Sequence, residues 1–340
     1  MKRLAKTMGL LFLILFLVYI LLWQPWEGSG KLSELPTTVY DGFHSPQEVQ
    51  IDGYDGHCME PFVSRDGRYL FWNNINNSSA NTNLFFSRRV SGPMHFSFAG
   101  EVAGVNTEKL DGVASMTAEG DLFYTSLSTY EPKVGHYGTL FHGPFTDGKV
   151  EGAKRVSGTV DKEEFGWLNM DCEITACARE MYISSAYFQI YKPPPRKSNI
   201  VRARLSKGSY ELVDNDEIMK NINTTCLEYA PCTSADRLEL FFTRTYIPGW
   251  FGKGKTQLLL CRAARQSVED PFGEPQLVGA IHEEASASDD SGKLGQELVA
   301  GGLSADKLFV EAPSLSGDGK YLYYHKRVGK TFRIWCVKRK

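Results

Sequence analysis

Residues 60–72 read EPFVSRDGRYLFW, and residues 312–324 read APSLSGDGKYLYY. The two segments share Pro, Ser, Asp, Gly, Tyr and Leu at the same offsets. Three weaker copies follow the same pattern: APCTSADRLELFF at 230–242, ASMTAEGDLFY at 114–124 and CEITACAREMYI at 172–183. Self-similarity along a chain is the sequence signature of a repeat architecture. We therefore count five repeats.

Each repeat has the pattern of a small antiparallel sheet. Asp-Gly between two alternating apolar runs predicts a hairpin, because Gly accepts the positive φ of a tight turn and Asp hydrogen-bonds nearby backbone. Another short apolar strand follows each hairpin, starting at Asn83, Thr139, Asn199, Gln257 and Arg333. Outer strands follow in the first four repeats. Regular strand repeats with a turn in each unit favour radial repetition, as in a β-propeller.

The fifth repeat reaches residue 340 within its third strand and lacks an outer one. Residues 37–43, TTVYDGF, lie at the right distance upstream of the first repeat to supply it. We expect this segment to complete the last unit and close the ring, since closure removes an exposed sheet edge.

The repeat motif Pro-x-x-Ser-x-Asp-Gly-x-x-Leu-Tyr resembles the TolB-type propeller repeat, a relative of the WD repeat. The resemblance covers residues 36–340 and is best in the first, fourth and fifth repeats. TolB propellers have six blades, whereas this sequence offers five. The resemblance and the count together predict an all-β fold, a β-propeller of five blades in preference to six.

The N-terminal segment has the pattern of a membrane anchor. Lys2, Arg3 and Lys6 precede the uncharged run MGLLFLILFLVYILLW at residues 8–23. A helix over this run would be roughly 24 Å long, which flanking residues and Trp26 can extend toward the ~30 Å hydrocarbon core. A cleaved signal peptide is the alternative, although no Ala-x-Ala site follows. We expect a cytoplasmic stub and anchor at 1–30 and a propeller at 31–340 on the periplasmic or other extracytoplasmic side, secreted if the segment is cleaved.

Composition excludes some functions. The 38 Lys and Arg against 40 Asp and Glu leave a net charge of −2, which gives no excess of positive charge for nucleic acid. The seven cysteines show no zinc-binding spacing, and most are expected to be buried thiols. P-loop and Rossmann fingerprints are missing. The sequence therefore predicts no cofactor and no metal from any motif.

A candidate binding site follows from the predicted propeller geometry. The long connections at 73–82, 128–138, 187–198 and 245–255 would all leave one face, where the first strand of each repeat begins. Long loops on a rigid scaffold commonly carry function. A funnel of acids, aromatics and bases is expected there, which could bind sugars or a hard cation, or could be a solvated rim. Its candidates are His57, Glu60, Trp72, Asp111, Trp167, Asp171, Glu228, Tyr229, Arg244, Glu311 and His325.

Two functions stay open from the sequence. The first is an exported, membrane-tethered binding or scaffold module of the cell envelope, with an envelope protein or a glycan as partner. The second is a carbohydrate-active enzyme, because five-bladed glycosidases place carboxylates around the axis as acid and nucleophile or base. Glu60, Asp171 and Glu228 are the carboxylates to mutate first for that alternative. No G-x-S-x-G elbow supports serine hydrolysis.

Overall fold

The strands and their contacts come from a computed structural model that describes residues 28–76, 81–189, 194–214, 216–249, 254–282 and 309–340. The predicted anchor at 8–23 and most of the long connection at 281–307 lie outside the described residues. Within the described ranges, no helix combines the length and the apolar character needed to cross a membrane. The fold is all-β and propeller-like, as the repeats predict.

Twenty-four strands run through the described residues. Four precede the first repeat: β1 (Gly28–Ser29), β2 (Val39–Tyr40), β3 (Phe43–Glu48) and β4 (Gln50–Asp52). The first two units contain β5 (Met59–Val63), β6 (Tyr69–Asn73), β7 (Leu84–Ser91), β8 (His95–Glu101), β9 (Asp111–Met116), β10 (Asp121–Ser126), β11 (Leu140–Thr146), β12 (Lys149–Val150) and β13 (Lys154–Arg155). The remaining units contain β14 (Trp167–Ile174), β15 (Glu180–Tyr187), β16 (Lys197–Ser206), β17 (Ser209–Leu212), β18 (Leu227–Thr233), β19 (Glu239–Pro248), β20 (Gln257–Ala264), β21 (Gln276–Val278), β22 (Val310–Leu315), β23 (Tyr321–Val328) and β24 (Thr331–Arg339).

Helical structure is sparse among these strands. The α-helix α1 (Gly279–His282) follows β21, and short 3-10 turns cover Leu32–Glu34, Pro132–Val134 and Glu217–Met219.

Every unit is an antiparallel sheet in chain order from its first strand outward. The orders are β5-β6-β7-β8, β9-β10-β11-β12, β14-β15-β16-β17, β18-β19-β20-β21 and β22-β23-β24. The first strands, β5, β9, β14, β18 and β22, pack side by side in this order, and β22 packs against β5. These five inner strands therefore surround a common axis.

The repeat motif builds the first turn of the first, fourth and fifth units through side chains. In the first unit the Ser64 hydroxyl donates to Asp66 at 2.7 Å and accepts from the Tyr69 N–H at 2.9 Å. Asp66 also accepts from the Arg68 N–H, and Gly67 takes a φ of 71°. The same contacts recur around Ser234 and Asp236 and around Ser316 and Asp318. The predicted hairpin is confirmed, and the motif Ser has a defined role in it.

Side chains of one unit bind the backbone of the next across the axis-facing seams. On the second strands, Asn73, Thr243 and His325 occupy equivalent repeat positions. They accept the N–H groups of Val113, Ala312 and Glu60, respectively, each at 3.2 Å. Ser184 accepts the Ala230 N–H in the same way, and the Thr125 hydroxyl donates to the Met170 carbonyl. We call this set the upper hydrogen-bond tier.

A second set of contacts lies three residues further along the inner strands, and we call it the lower tier. Its acceptors are side chains at equivalent positions: Ser314 for the Val63 N–H, Ser115 for Ile174, Glu173 for Thr233 and Cys232 for Leu315. Because inner strands of neighbouring units share no regular ladder, these side chains satisfy backbone donors that burial would otherwise leave unpaired.

The N-terminal strand closes the last unit, but at a different place from the prediction. Phe43–Glu48 pairs antiparallel with β24, whereas Val39–Tyr40 pairs in parallel with β21 of the preceding unit. The predicted segment 37–43 is thus divided between two sheets, with Asp41-Gly42 at the break. Phe43, 1% exposed, fixes the register because its side chain enters the core between the fourth and fifth units.

The hydrophobic core is divided into clusters between successive sheets rather than gathered at one centre. The aromatic cluster around Phe71, Phe86 and Phe145 joins the first two units, and others follow around the ring. All seven cysteines are free thiols, and every one except Cys177 is buried, as the sequence predicts for most of them.

Candidate functional site

Three ionisable side chains meet at the end of the axis where the inner strands begin. Glu60 lies in β5, Glu311 in β22 and His325 in β23, and all three are buried. One ligand-type atom from each lies within 4.8 Å of the others. The Nε2 atom of His325 is 3.6 Å from Glu311 Oε2 and has no hydrogen-bond partner among the described residues. We call these residues, together with Asp171 and Tyr229, the axial cluster.

Neutral neighbours orient the two glutamates. The Asn76 amide donates to Glu60 Oε1 at 2.8 Å, and the Tyr229 hydroxyl donates to Glu311 Oε1 at 2.5 Å. Among the described residues, the second oxygen of each carboxylate receives no hydrogen bond. One oxygen of each group is therefore fixed, and the second oxygen of Glu311 lies 3.6 Å from His325 Nε2.

The backbone explains how Glu60 reaches this place. A β-bulge interrupts each inner strand, and in the first unit it falls between Met59 and Phe62. Glu60 takes a φ of 52° there, a conformation that non-glycine residues rarely adopt. The Nδ1 atom of His325 accepts the Glu60 N–H at 3.2 Å and so ties the strained peptide to the last unit.

Asp171 lies on the same axis, in the third unit. Its carboxylate accepts from the Ser184 hydroxyl at 2.5 Å and from the Ala230 N–H at 3.2 Å. Glu60 and Asp171 both line an axial cavity of about 30 Å³. Such a volume holds about two water molecules and excludes a sugar ring.

Burial changes the acidity of this cluster. Desolvation raises the pKa of the Glu60 carboxyl to about 7, with nearby Glu311 and Asp171 adding to the rise and His325 opposing it. Desolvation also raises the pKa of the Asp171 carboxyl to about 6, against the hydrogen bonds from Ser184 and Ala230. The pKa of the Tyr229 hydroxyl is raised well above its usual value for the same reason. A buried carboxyl that lacks a counter-charge holds its proton more tightly.

The opposite end of the axis is closed. Arg65, in the first turn of the first unit, reaches across to the third unit and donates to Glu173 at 2.8 Å. It also donates to the carbonyls of Met116 and Ile174. The axis therefore has one end filled by an ion pair and one end lined by ionisable groups without such a pair.

Elsewhere, most buried carboxylates have arginine partners. Glu180 binds Arg202 at 2.7 Å and Glu228 binds Arg244 at 2.9 Å, and the half-buried Glu239 binds Arg262 at 2.6 Å. The exception is Asp111, which is buried and held by Thr107. No described arginine or lysine forms an ion pair with a carboxylate of the axial cluster. The contrast sets this cluster apart from the structural ion pairs of the fold, because a buried charge without a partner is costly.

Two predicted funnel residues form one of those structural pairs. Glu228 and Arg244 are both buried; Glu228 also accepts the Thr224 hydroxyl, and Arg244 donates to the carbonyls of Glu34 and Ile222. Burial raises the pKa of the Glu228 carboxyl, and Arg244 opposes the rise. Both side chains are occupied in holding the N-terminal segment to the fourth unit.

The structure places four further candidates away from the axial cluster. Trp72 is fully buried in the core between the last and first units, and its ring packs on Phe85. Asp111 accepts from the N–H and hydroxyl of Thr107. The remaining two lie at the edge of the same face: His57 accepts the Phe332 N–H, and Trp167 packs under Lys162.

Sequence reasoning did not identify Asn76 and Ser184, which hold the carboxylates of Glu60 and Asp171. Ser184 carries a usable signal, because it occupies the repeat position of His325 and Thr243. Asn76 carries none, since it lies in a loop outside the repeat motif. The closeness of Glu60 and His325, 265 residues apart, likewise follows from ring closure and from no local pattern.

The fold and the axial cluster together define a β-propeller-like protein with an acidic site at one end of its axis. No protein-family model matches the sequence, and no curated protein matches it. The likenesses that do exist are to solved structures.

Three of those structures show the level of sequence identity and the share of this chain that is covered. An endo-arabinase from Bacteroides thetaiotaomicron is 12% identical, with 86% of this chain and 98% of that chain covered and a TM-score of 0.46. The catalytic domain of a GH62 alpha-L-arabinofuranosidase from Coprinopsis cinerea is 10% identical, with coverages of 90% and 98% and a TM-score of 0.48. A TolB-type protein from Agrobacterium tumefaciens is 9% identical, with coverages of 87% and 79% and a TM-score of 0.43. These likenesses concern overall shape, and no residue role is transferred from them.

Proposed function

We propose that this chain is a five-bladed β-propeller that acts as a binding module and takes its ligand or protein partner over the axial cluster. The observation that carries the proposal is the asymmetry of the axis. Arg65 and Glu173 neutralise each other at one end, whereas Glu60, Asp171 and Glu311 converge at the other with His325 beside them and with no arginine or lysine partner among the described residues. A buried charge without an ion-pair partner is found more often at a ligand-binding site than at a position that only supports the fold.

Five blades are supported by the five inner strands, which pack in chain order with β22 beside β5. The proposal also places the propeller outside the cytoplasm, tethered by residues 8–23. Its support is the apolar run of that segment and the positive residues before it. Protease treatment of intact and permeabilised cells tests this part. Cleavage of the propeller only after permeabilisation of the cytoplasmic membrane would contradict an extracytoplasmic location.

The ligand proposal is tested with the full-length protein in detergent on a glycan panel and in pull-downs from envelope extract. Glu60→Gln and Asp171→Asn each remove one carboxylate of the axial cluster while preserving side-chain size. Glu151→Gln removes an exposed carboxylate paired with Lys149 and is the matched control. The proposal expects bound glycan or protein to be lost at least tenfold in the first two variants and retained in the control. Equal binding by all four proteins would place the ligand elsewhere.

A second candidate function is glycoside hydrolysis. The observation in its favour is that two carboxyl groups, Glu60 and Asp171, line one axial cavity, as an acid and its partner must flank a scissile bond. The cavity of about 30 Å³ requires the sugar to lie above it rather than within it. Release of reducing sugar by the wild type, reduced at least a hundredfold in Asp171→Asn, would establish this function. No release from any glycan that the protein binds would remove it.

A further inference from the structure

We propose that Glu60, Glu311 and His325 form a site for one divalent transition-metal ion, with Zn²⁺ as the representative ion. The three residues come from the first and last units and offer two carboxylate oxygens and one imidazole nitrogen. The inference goes beyond the proposed function and does not depend on which ligand the axial cluster takes.

The first argument is the supply of ligand atoms. The Glu60 and Glu311 carboxylates each offer an oxygen near His325, and His325 Nε2 is a buried atom with no hydrogen-bond partner among the described residues. His325 is fully buried. A buried polar atom without a partner is rare in folded proteins and calls for an explanation such as an ion. A metal ion held by these three side chains would satisfy the His325 nitrogen.

The second argument is the set of residues behind the ligands. Metal-binding carboxylates are commonly held by hydrogen bonds to their other oxygen, which orients them toward the ion. Asn76 does this for Glu60 and Tyr229 for Glu311. Both carboxylate ligands are therefore oriented before any ion arrives.

The third argument is charge. Each of the buried carboxylates Glu173, Glu180 and Glu228 faces an arginine. The two glutamates of the proposed site face each other and His325, so an added cation restores the balance that the fold maintains elsewhere.

The donor set selects the class of ion. One imidazole with two carboxylates suits Zn²⁺ and its first-row neighbours, whereas Ca²⁺ and Mg²⁺ favour sites made wholly of oxygen. Three protein ligands leave at least one position of a tetrahedral ion open to water.

Coordination has one local consequence. Since Nδ1 accepts the Glu60 N–H, the neutral ring carries its proton on Nε2. A metal at Nε2 displaces that proton to Nδ1, and the 3.2 Å contact with the Glu60 N–H is given up. One long hydrogen bond is exchanged for three metal–ligand bonds.

The repeat supplies a matched substitution for the test. Asn73 occupies in the first unit the position of His325 in the last, and its Oδ1 accepts the N–H of Val113 at 3.2 Å. His325→Asn should therefore keep the contact between units while removing the imidazole. Glu311→Gln removes a carboxylate and can still accept the Tyr229 hydroxyl. His95→Asn is the control, because His95 is partly exposed and hydrogen-bonded to Asp52 on an outer strand.

The experiment is calorimetric titration of chelator-treated full-length protein with Zn²⁺, with Cys177→Ser in every sample because this thiol is exposed. The expected result is one equivalent bound by the parent protein and by His95→Asn, with affinity at least tenfold weaker in His325→Asn and in Glu311→Gln. Zn²⁺ should raise the thermal midpoint of the first two only. Failure of the parent to bind one equivalent, or equal affinity in all four proteins, overturns the site.

Discussion

Most buried carboxylates in this protein are of two kinds, those with an arginine partner and those of the axial cluster; Asp111, held by Thr107, is the exception. Arg65, Arg202 and Arg244 each bind a buried glutamate across strands or units. These pairs hold the structure together, because removing one partner would leave the other charged and desolvated. The carboxylates of the axial cluster have no such partner in the described part of the chain, and desolvation consequently raises the pKa of Asp171 and Glu60.

The ion pair between Arg65 and Glu173 should contribute far more to the free energy of unfolding than a neighbouring surface pair. Arg65→Met leaves Glu173, whose side chain is 3% exposed, without its charge partner. We therefore expect a loss of about 3–5 kcal/mol in the free energy of unfolding. Arg68→Met, three residues away, breaks a pair with Asp66 whose side chains are 73% and 46% exposed, and should leave the free energy of unfolding nearly unchanged because solvent screens the pair. Urea unfolding measures both, and similar losses would mean that Arg65 is not a buried partner.

Asp171 should make stability depend on pH. Its pKa is about 6 in the folded protein, above the usual value of 3.8, so the folded state binds this proton more tightly than the unfolded state. The stabilising contribution is therefore full below about pH 4 and is lost as the pH rises through 6. Relative to that of the wild type, the free energy of unfolding of Asp171→Asn should increase by on the order of 1–3 kcal/mol between pH 4 and pH 7.

Unfolding free energies of the two proteins, measured across that pH range, decide this prediction. Asp147→Asn, which removes an exposed carboxylate, controls for the loss of one surface charge. A difference between Asp171→Asn and wild type that stays constant with pH would show that Asp171 keeps the same affinity for its proton when the chain unfolds.

Four of the five inner strands carry a β-bulge at the same repeat position, held by side chains of a neighbouring unit, and in β14 the bulge lies one position earlier. Glu60, Ala230 and Ala312 precede prolines, yet each takes a φ above 50°. Local preference places a residue before proline in extended conformations. The sequence therefore predicts the strand and its hairpin but not the bulge, because the acceptors in the upper hydrogen-bond tier belong to another repeat.

The lower tier offers a test at the level of elements. Ser314 accepts the Val63 N–H at 3.0 Å and is 2% exposed. Ser314→Ala would leave a buried N–H unpaired between the last and first units, at a cost of about 1–3 kcal/mol. Ser206→Ala, at the exposed end of β16, should change stability by less than about 0.5 kcal/mol. Thermal or urea unfolding distinguishes them, and equal effects would mean that solvent satisfies Val63.

At the scale of the whole molecule, the repeats predict a ring, and the contact of β22 with β5 agrees with it. The predicted closing segment, 37–43, lies a few residues before the observed one, Phe43–Glu48. The reason is that TTVYDGF has strand-forming residues on both sides of a turn, and only packing decides which side joins β24. The candidate site was predicted in part. Conserved spacing within repeats locates Glu60 and His325 individually, whereas their proximity depends on the closed ring.

Closure should make the propeller unfold as one unit. Phe43→Ala removes a side chain that packs on Phe241, at 6.0 Å between ring centroids, and should cost about 3–5 kcal/mol. Tryptophan fluorescence and circular dichroism should lose their signals together at a lowered midpoint. Gln47→Ala, on the exposed face of the same strand, is the control. A separate early transition in Phe43→Ala would mean that the units unfold independently.

Pairing between Phe43–Glu48 and Thr331–Arg339 also sets the order of events during synthesis. The first of these strands leaves the ribosome before all five repeats, and its partner leaves after four of them. Until then the nascent chain carries an unpaired strand and open sheet edges, which are templates for aggregation. Contacts of such long sequence separation also form slowly. If the chain crosses a membrane before it folds, the ring can close only after both strands have reached the same compartment.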